Sequence, residues 1–198
     1  MWLNNQVMKI LIAIMFIVTS LLLQMATNAV SQDSTLYMSP SAAVAKGKAP
    51  GMTWKLLSDN NGVKEYAIVF AKDDEVLSGI TGFAVQQHVA SARFTAIGAL
   101  KEGTFGWFDP KRNQYKLNTI RQQIELVSLI GDIANYNGIP VVHTHCSVAL
   151  ADGSMQGGHL VKAITYPTVE LFMTVFSTPL QKTLDNETGL KLIQTDLK

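Results

Sequence analysis

Short apolar runs separated by Asn, Asp, Gly and Pro predict a chain built mainly of strands. One stretch, residues 76–89, instead carries apolar side chains at helical spacing and predicts a helix. These elements together predict an α+β (or α/β) fold with a mostly antiparallel, strongly twisted sheet and one main helix. The predicted strands are residues 53–57, 64–70, 94–100, 103–108, 115–117, 141–150, 158–164 and 169–176.

Three other stretches are assigned from their composition. Residues 122–134 have the length of a helix, but their Ile, Val and Gly content favours a strand. Residues 32–51 are rich in Ser, Ala, Gly and Pro without periodicity, and predict a flexible linker. The polar tail, residues 181–198, is expected to be irregular. The folded domain is therefore expected over residues 52–180.

The first 31 residues have the features of an export signal. Lys9 is the only charged residue before Asp33, and the apolar run 10–23 is short for a membrane span. Small side chains predict cleavage after Ala29 or Ser31, and an uncleaved anchor is the alternative. We therefore expect an exported protein, periplasmic or secreted, that touches a membrane only through this segment if it is uncleaved.

Charge and cysteine content narrow the classes of partner. The chain has 16 Lys+Arg and 15 Asp+Glu, a net charge of +1, and lacks a basic run. Such a balanced charge gives little attraction for a polyanion, so nucleic acid is not an expected partner.

Cys146 is the only cysteine, so an intrachain disulfide is excluded. A buried, inert thiol is favoured over an intermolecular bridge.

Three of the four histidines, His143, His145 and His159, lie within seventeen residues. Two residues spaced i, i+2 on a strand project to the same face, and a third histidine on a neighbouring strand can complete a three-nitrogen metal site. Such a ligand set leaves one position open, as in catalytic zinc sites. Zinc is the expected ion, with iron, nickel and copper as alternatives. The alternative to a metal site is that one or more of these histidines only form hydrogen bonds within the sheet.

The turn at Asp152-Gly153 decides whether the third histidine reaches this face. A two-residue loop would pair His159 with Cys146, which points away from the other two histidines. A loop with an odd number of residues, or a bulge at Gly157-Gly158, moves His159 onto their face. Adjacent glycines suit either a bulge or a close approach of two backbones.

Glu125 is the preferred helper for this site, as a catalytic acid/base or an orienting carboxylate. It stands in an otherwise apolar stretch, where burial is costly unless the charge is paired. A solvent-facing position on a half-exposed strand is the alternative. Asp132 and Glu170 are weaker candidates for the same role.

Residues from about 65 to 176 resemble the plant and prokaryote conserved (PPC) domain. The resemblance implies an α/β fold with a mostly antiparallel sheet and a homotrimer. In bacterial members it also implies metal binding by three histidines, which match His143, His145 and His159. The fold and the histidine motif are similar to acetolactate decarboxylase, a three-histidine zinc lyase, as well. The matching landmarks are residues 96–100, Glu125, 128–131, 138–140, 143–145, 152–153 and 157–160.

The residues and the resemblance together predict an exported PPC-domain protein. It is expected to bind a divalent metal, zinc first, and to present an open site to a small oxygen-bearing ligand. Plant members carry AT-hooks and bind DNA, and bacterial relatives are named as candidate DNA-binding proteins, so a DNA-binding module is one alternative. This sequence lacks the Arg-Gly-Arg-Pro hook. A metal-dependent lyase acting on a small oxo- or hydroxy-acid is the other alternative.

Overall fold

The computed structural model describes residues 36–42 and 47–196, so the predicted export signal lies outside the described residues. Within these ranges no helix has the length and apolar character needed to cross a membrane. The described chain forms one helix, α1 (Val76–Gln86), and a set of strands. The strands are β1 (Tyr37–Met38), β2 (Thr53–Asn60), β3 (Val63–Phe70), β4 (Ser91–Asp109), β5 (Gln114–Ile120), β6 (Ile124–Tyr136), β7 (Ile139–Ala149), β8 (Met155–Val175), β9 (Gln181–Leu184) and β10 (Lys191–Gln194).

The strands form one sheet with the order β1-β5-β4-β6-β7-β8-β3-β2. The two longest strands, β4 and β8, also pair with each other, so β4, β6, β7 and β8 close into a ring. Pairing along this order is antiparallel, while β9 joins β6 in parallel through Asn135 and Gln181. The predicted class, a mostly antiparallel sheet with one helix, is confirmed.

Several strands are longer than the sequence pattern predicts. Residues 94–100 and 103–108 lie in the single strand β4, and residues 158–164 and 169–176 lie in or next to the single strand β8. Register shifts along the β4–β8 pair let both strands bend without ending, which is why each looks broken in sequence. The ambiguous residues 122–134 contribute the strand β6.

The tail after residue 180 was predicted to be irregular, and this prediction is wrong. Residues 181–184 and 191–194 form the antiparallel hairpin β9–β10. Each strand has four residues and most of them are not buried, so the segment lacks the apolar alternation that marks a strand in sequence.

The core lies between α1 and one face of the sheet. Phe83 of the helix meets Trp54 and Tyr66 edge to face, with ring centroids 5.7 and 5.1 Å apart. The helix begins at Glu75, a buried residue whose carboxylate accepts hydrogen bonds from the backbone N–H groups of Ser78 in the helix and Ala163 in β8. One charged side chain therefore fixes the helix to the long strand that carries His159.

Part of the predicted linker belongs to this folded unit. Residues 37–38 form β1, and Lys48 accepts a hydrogen bond from the backbone N–H of Glu75. The N–H of Gly51 donates to Asp74, a buried carboxylate. Buried carboxylates need donors, and the segment before β2 supplies them.

Candidate metal centre

The three clustered histidines converge on one face of β7 and β8. His143 and His145 occupy alternate, exposed positions of β7, and His159 of β8 lies directly opposite His145. One nitrogen atom from each ring lies within 4.8 Å of the others. The ring centroids are 5.1 to 5.5 Å apart. The predicted convergence of the three side chains is present in the fold.

The turn between β7 and β8 produces this convergence. Its loop has an odd number of residues, 151–153, and is closed by a hydrogen bond of 2.9 Å from the N–H of Leu150 to the carbonyl of Ser154. Gly153 has φ +80°, the left-handed conformation that such a loop requires. Cys146 therefore pairs with Gly158 rather than with His159. Of the two routes considered from the sequence, the odd loop is the one observed.

Gly157 and Gly158 allow close approach of three strands and do not form a bulge against β7. The register from residue 155 to 159 is unbroken. A Cβ at Gly157 would lie 2.1 Å from the carbonyl oxygen of Cys146 in β7, and a Cβ at Gly158 would lie 2.7 Å from that of Gly106 in β4. No side chain fits there, so the glycines bring the strands on both sides of β8 up to His159.

Asp132 of β6 is the carboxylate that contacts the cluster. It lies opposite His143 in register, and its Oδ2 is 3.4 Å from Nδ1 of His143. Its Oδ1 lies 2.7 Å from the ammonium of Lys182 in β9. Burial acts to raise the pKa of Asp132, but its contacts with His143 and Lys182 outweigh burial and hold that pKa below the usual range. An ionised carboxylate behind Nδ1 orients a histidine whose Nε2 binds a metal.

The surroundings of the other two histidines favour the neutral form, which is the form that binds metals. Burial, followed by the charge of neighbouring His143, lowers the pKa of His145. Burial, followed by charges on the neighbouring histidines and Lys182, lowers the pKa of His159 to about 4. Tyr115 of β5 stacks flat on His159, with centroids 4.5 Å apart, and burial raises the pKa of its phenol. Neutral imidazole is the species that coordinates divalent ions.

The pKa of His159 predicts acid sensitivity of the metal-free protein. The unfolded chain binds a proton at this residue as the pH falls through about 6.5, but the folded chain does so only near pH 4. Stability should therefore be full above this window and fall by about 2 to 3 kcal/mol across it. Urea unfolding between pH 4 and 7 measures this loss. His159→Gln should remove most of it, and His88→Gln, outside the cluster, should retain it.

Glu125, the preferred helper residue, does not lie beside these histidines within one chain. It pairs with Ala149 and stands seven positions before Asp132 on β6, or about 20 Å away at the rise of a strand. With Glu170 it lines a separate surface cleft of about 580 Å³. Asp132, a weaker candidate from the sequence, occupies the orienting position instead.

Two further residues of the site were not found from the sequence. Lys182 is one of three lysines in the polar tail, residues 181–198, and Tyr115 is one aromatic residue among many in strands, so neither carries a local signal. Cys146 was expected to be buried and inert. It is buried on the opposite face from the histidines, and burial raises the pKa of its thiol to about 12.

Solved structures with the same fold come from bacteria and archaea. A candidate DNA-binding protein from Bacteroides thetaiotaomicron is 26% identical, with a TM-score of 0.67 over 73% of this chain and 99% of that chain. A plant- and prokaryote-conserved protein from Pyrococcus horikoshii is 27% identical, with a TM-score of 0.63 over 74% and 96% of the two chains. The metal-containing protein AF0104 from Archaeoglobus fulgidus is 22% identical, with a TM-score of 0.62 over 72% and 98%.

A more distant solved structure shares only part of the fold. A Staphylococcus aureus protein described as similar to alpha-acetolactate decarboxylase has a TM-score of 0.43 and 13% identity, covering 57% of this chain and 52% of that chain. No curated protein matches the chain. The model of the Plants and Prokaryotes Conserved (PCC) domain, the same domain that is abbreviated PPC, matches residues 57–177. This match covers the helix, the ring of strands and all three clustered histidines, and the chain belongs to the PCC domain family.

Proposed function

We propose that the protein binds one divalent metal ion per chain, zinc in the first place, through His143, His145 and His159. The observation that carries this proposal is the convergence of three imidazole nitrogens within 4.8 Å. Zinc–nitrogen bonds of about 2.0–2.1 Å place tetrahedral ligands about 3.4 Å apart. Closing the remaining distance requires His143 and His145, which are exposed, to rotate inward.

The chemistry of the donor set supports the same proposal. Nδ1 of His159 is buried and has no hydrogen-bond partner among the described residues. Asp132 orients His143 from behind, in the manner of carboxylates that support metal-bound histidines. A structural relative, AF0104, is named as metal-containing. Every protein ligand is then a neutral imidazole, a set that suits zinc without requiring redox chemistry.

Three protein ligands leave an open coordination position, which we assign to water or a small oxygen-bearing ligand. The bound metal supplies a Lewis acid that can polarise a carbonyl group. Tyr115 covers one face of His159 and restricts rotation of that ring. As an enzyme, the protein would be a metal-dependent lyase that acts on a small oxo- or hydroxy-acid.

Metal content tests the proposal directly. The purified wild-type chain, reconstituted with zinc and dialysed, should hold about one equivalent by plasma mass spectrometry. His159→Ala should hold almost none, because two remaining imidazoles are a weak ligand set. His88→Ala removes the histidine outside the cluster and should retain the full equivalent. Equal zinc in wild type and His159→Ala would refute the assigned ligands.

The trimer implied by the family resemblance is a further part of the proposal. Ile130 of β6 and Phe172 of β8 lie on either side of Thr95 of β4, and their side chains are 61% and 58% exposed. Ile97 and Val127 are exposed beside them. Contiguous exposed apolar side chains of this kind mark interfaces between proteins.

Light scattering after size exclusion tests the assembly. The wild-type chain should have three times the mass of one chain, and Phe172→Glu should lower that mass by placing a charge in the interface. Val85→Glu changes an exposed apolar residue of α1 and should leave the assembly intact. A wild-type monomer would contradict this part of the proposal.

Export is proposed from the sequence of the first 31 residues. Intact mass spectrometry of the protein recovered from outside the cytoplasm is the measurement, and a chain beginning at Val30 or Gln32 is the expected result. A full-length chain found in the cytoplasm would contradict export.

DNA binding is the second candidate function, because the Bacteroides relative is named as a candidate DNA-binding protein. The net charge of +1 gives little attraction for phosphates. Filter binding of duplex DNA at low salt decides between the two functions. Retention that falls steeply with salt would support the DNA-binding function, and no retention even at low salt would exclude it.

A further inference from the structure

The C-terminal hairpin β9–β10 brings a buried lysine to the metal centre. The family match ends at residue 177, so this hairpin lies beyond it. The side chain of Lys182 is only 1% exposed. Burying an ammonium group costs several kcal/mol unless an opposite charge compensates it. The compensating charge here is Asp132, whose Oδ1 lies 2.7 Å from Nζ of Lys182.

Asp132 is therefore shared between a ligand and a cation. Its Oδ2 faces Nδ1 of His143 at 3.4 Å, while its Oδ1 faces Lys182. A carboxylate behind a metal-bound histidine normally transfers negative charge to the ligand and strengthens metal binding. A cation on the other carboxylate oxygen offsets that charge.

We propose that Lys182 is a specificity-determining residue. It lowers the affinity of the site for its metal and makes the metal-loaded site selective for anionic ligands. This inference rests on the proposed metal function. Three neutral imidazoles contribute no charge, and Lys182 cancels the charge of Asp132. The metal-loaded site therefore keeps the full positive charge of the divalent ion. The ligand class that fits the open position is a small carboxylate or another small anion. Lys182 acts through its field, since its buried ammonium is closed to direct contact.

Two substitutions that should change zinc affinity in opposite directions test this inference. Lys182→Met leaves Asp132 unopposed and should tighten zinc binding by about tenfold, as measured by competition with a chromophoric chelator. Asp132→Asn removes the orienting charge and should weaken zinc binding by about 10- to 100-fold. A lysine with a purely structural role would make both substitutions weaken zinc. Lys191→Met is the matched control, because Lys191 lies on the same hairpin but contacts the ring of Tyr136.

Anion binding supplies the second readout. In the cobalt-loaded protein, acetate should perturb the visible spectrum of wild type at concentrations several-fold lower than in Lys182→Met. Lys182→Gln, which removes the charge but keeps a polar side chain, is the second variant and should change zinc and acetate affinity in the same directions. Thermal unfolding of the metal-free forms verifies that each variant is folded.

The outcomes separate this inference from the proposed function. A wild-type chain that does not bind zinc, or a His145→Ala variant that binds it normally, refutes the metal proposal itself. A wild-type chain that binds zinc, combined with Lys182 variants whose zinc affinity is unchanged or weaker, overturns only the inference about Lys182. Tighter zinc and weaker acetate binding in both variants would establish it.

Discussion

Saturating zinc should raise the melting temperature of the wild-type protein by about 8 to 16 °C. At a free zinc concentration about 1,000 times the dissociation constant, mass action adds about 4 kcal/mol to the free energy of unfolding. For a domain of this size, each kcal/mol raises the melting temperature by about 2 to 4 °C. The measurement is differential scanning calorimetry of the apo and zinc-loaded forms.

His145→Ala should lose nearly all of this stabilisation. Its imidazole is one of the three in the cluster, with ring centroids 5.1 and 5.3 Å from those of His143 and His159. His88→Ala should keep the full shift, because His88 lies outside the cluster. A chelator should reverse the shift in both wild type and His88→Ala. An unchanged shift in His145→Ala would mean that zinc stabilises the protein from another site.

Gly157→Ala should be the most damaging single methyl addition in the hairpin, with a loss of about 4 kcal/mol in the free energy of unfolding. Its Cβ would lie 2.1 Å from the carbonyl oxygen of Cys146, and its φ of +154° is one that side chains rarely adopt. Backbone atoms cannot move aside as a flexible side chain would, so β7 and β8 must separate. Equilibrium unfolding in urea measures the loss.

Gly153→Ala provides the comparison. Gly153 also has a positive φ, +80°, but a Cβ there would meet nothing within 4 Å. Only conformational strain remains, so the expected loss is about 1 to 2 kcal/mol. Gly157→Ala should also weaken zinc binding, since His145 and His159 face each other two positions away. Equal losses in the two variants would show that close strand packing at Gly157 contributes nothing beyond backbone strain.

The histidine site was largely predictable from the sequence because its signals are local. Alternation places His143 and His145 on one face, and the Gly157-Gly158 pair indicates a close approach at His159. The length of the loop is not encoded by any local pattern. Two- and three-residue turns at Asp152-Gly153 are both reasonable in sequence, and only the structure selects the odd loop.

The carboxylate was harder to predict because its position depends on register between β6 and β7. Glu125 and Asp132 lie on the same strand, and the pairing of Asp132 with His143 decides which one reaches the site. A register shift between Leu126 and Ser128 alters that pairing along the strand, and no local pattern reveals it. Lys182 was unpredictable for a related reason, because its place depends on contacts distant in sequence.

The ring of strands and the β7–β8 hairpin, which carries the three histidines, are expected to form at different rates. Pairing of β4 with β8 joins Ala92 to Val175, a non-local contact of the kind that makes sheet proteins fold slowly. Isolated hairpins such as β7–β8 close in about 1–10 μs. We therefore expect the three histidines to become neighbours before the pairing of β4 with β8 completes the scaffold around them. If the proposed metal site is correct, an ion present during folding would meet its ligands on the β7–β8 hairpin before the fold is complete, so metal binding and folding would compete in time.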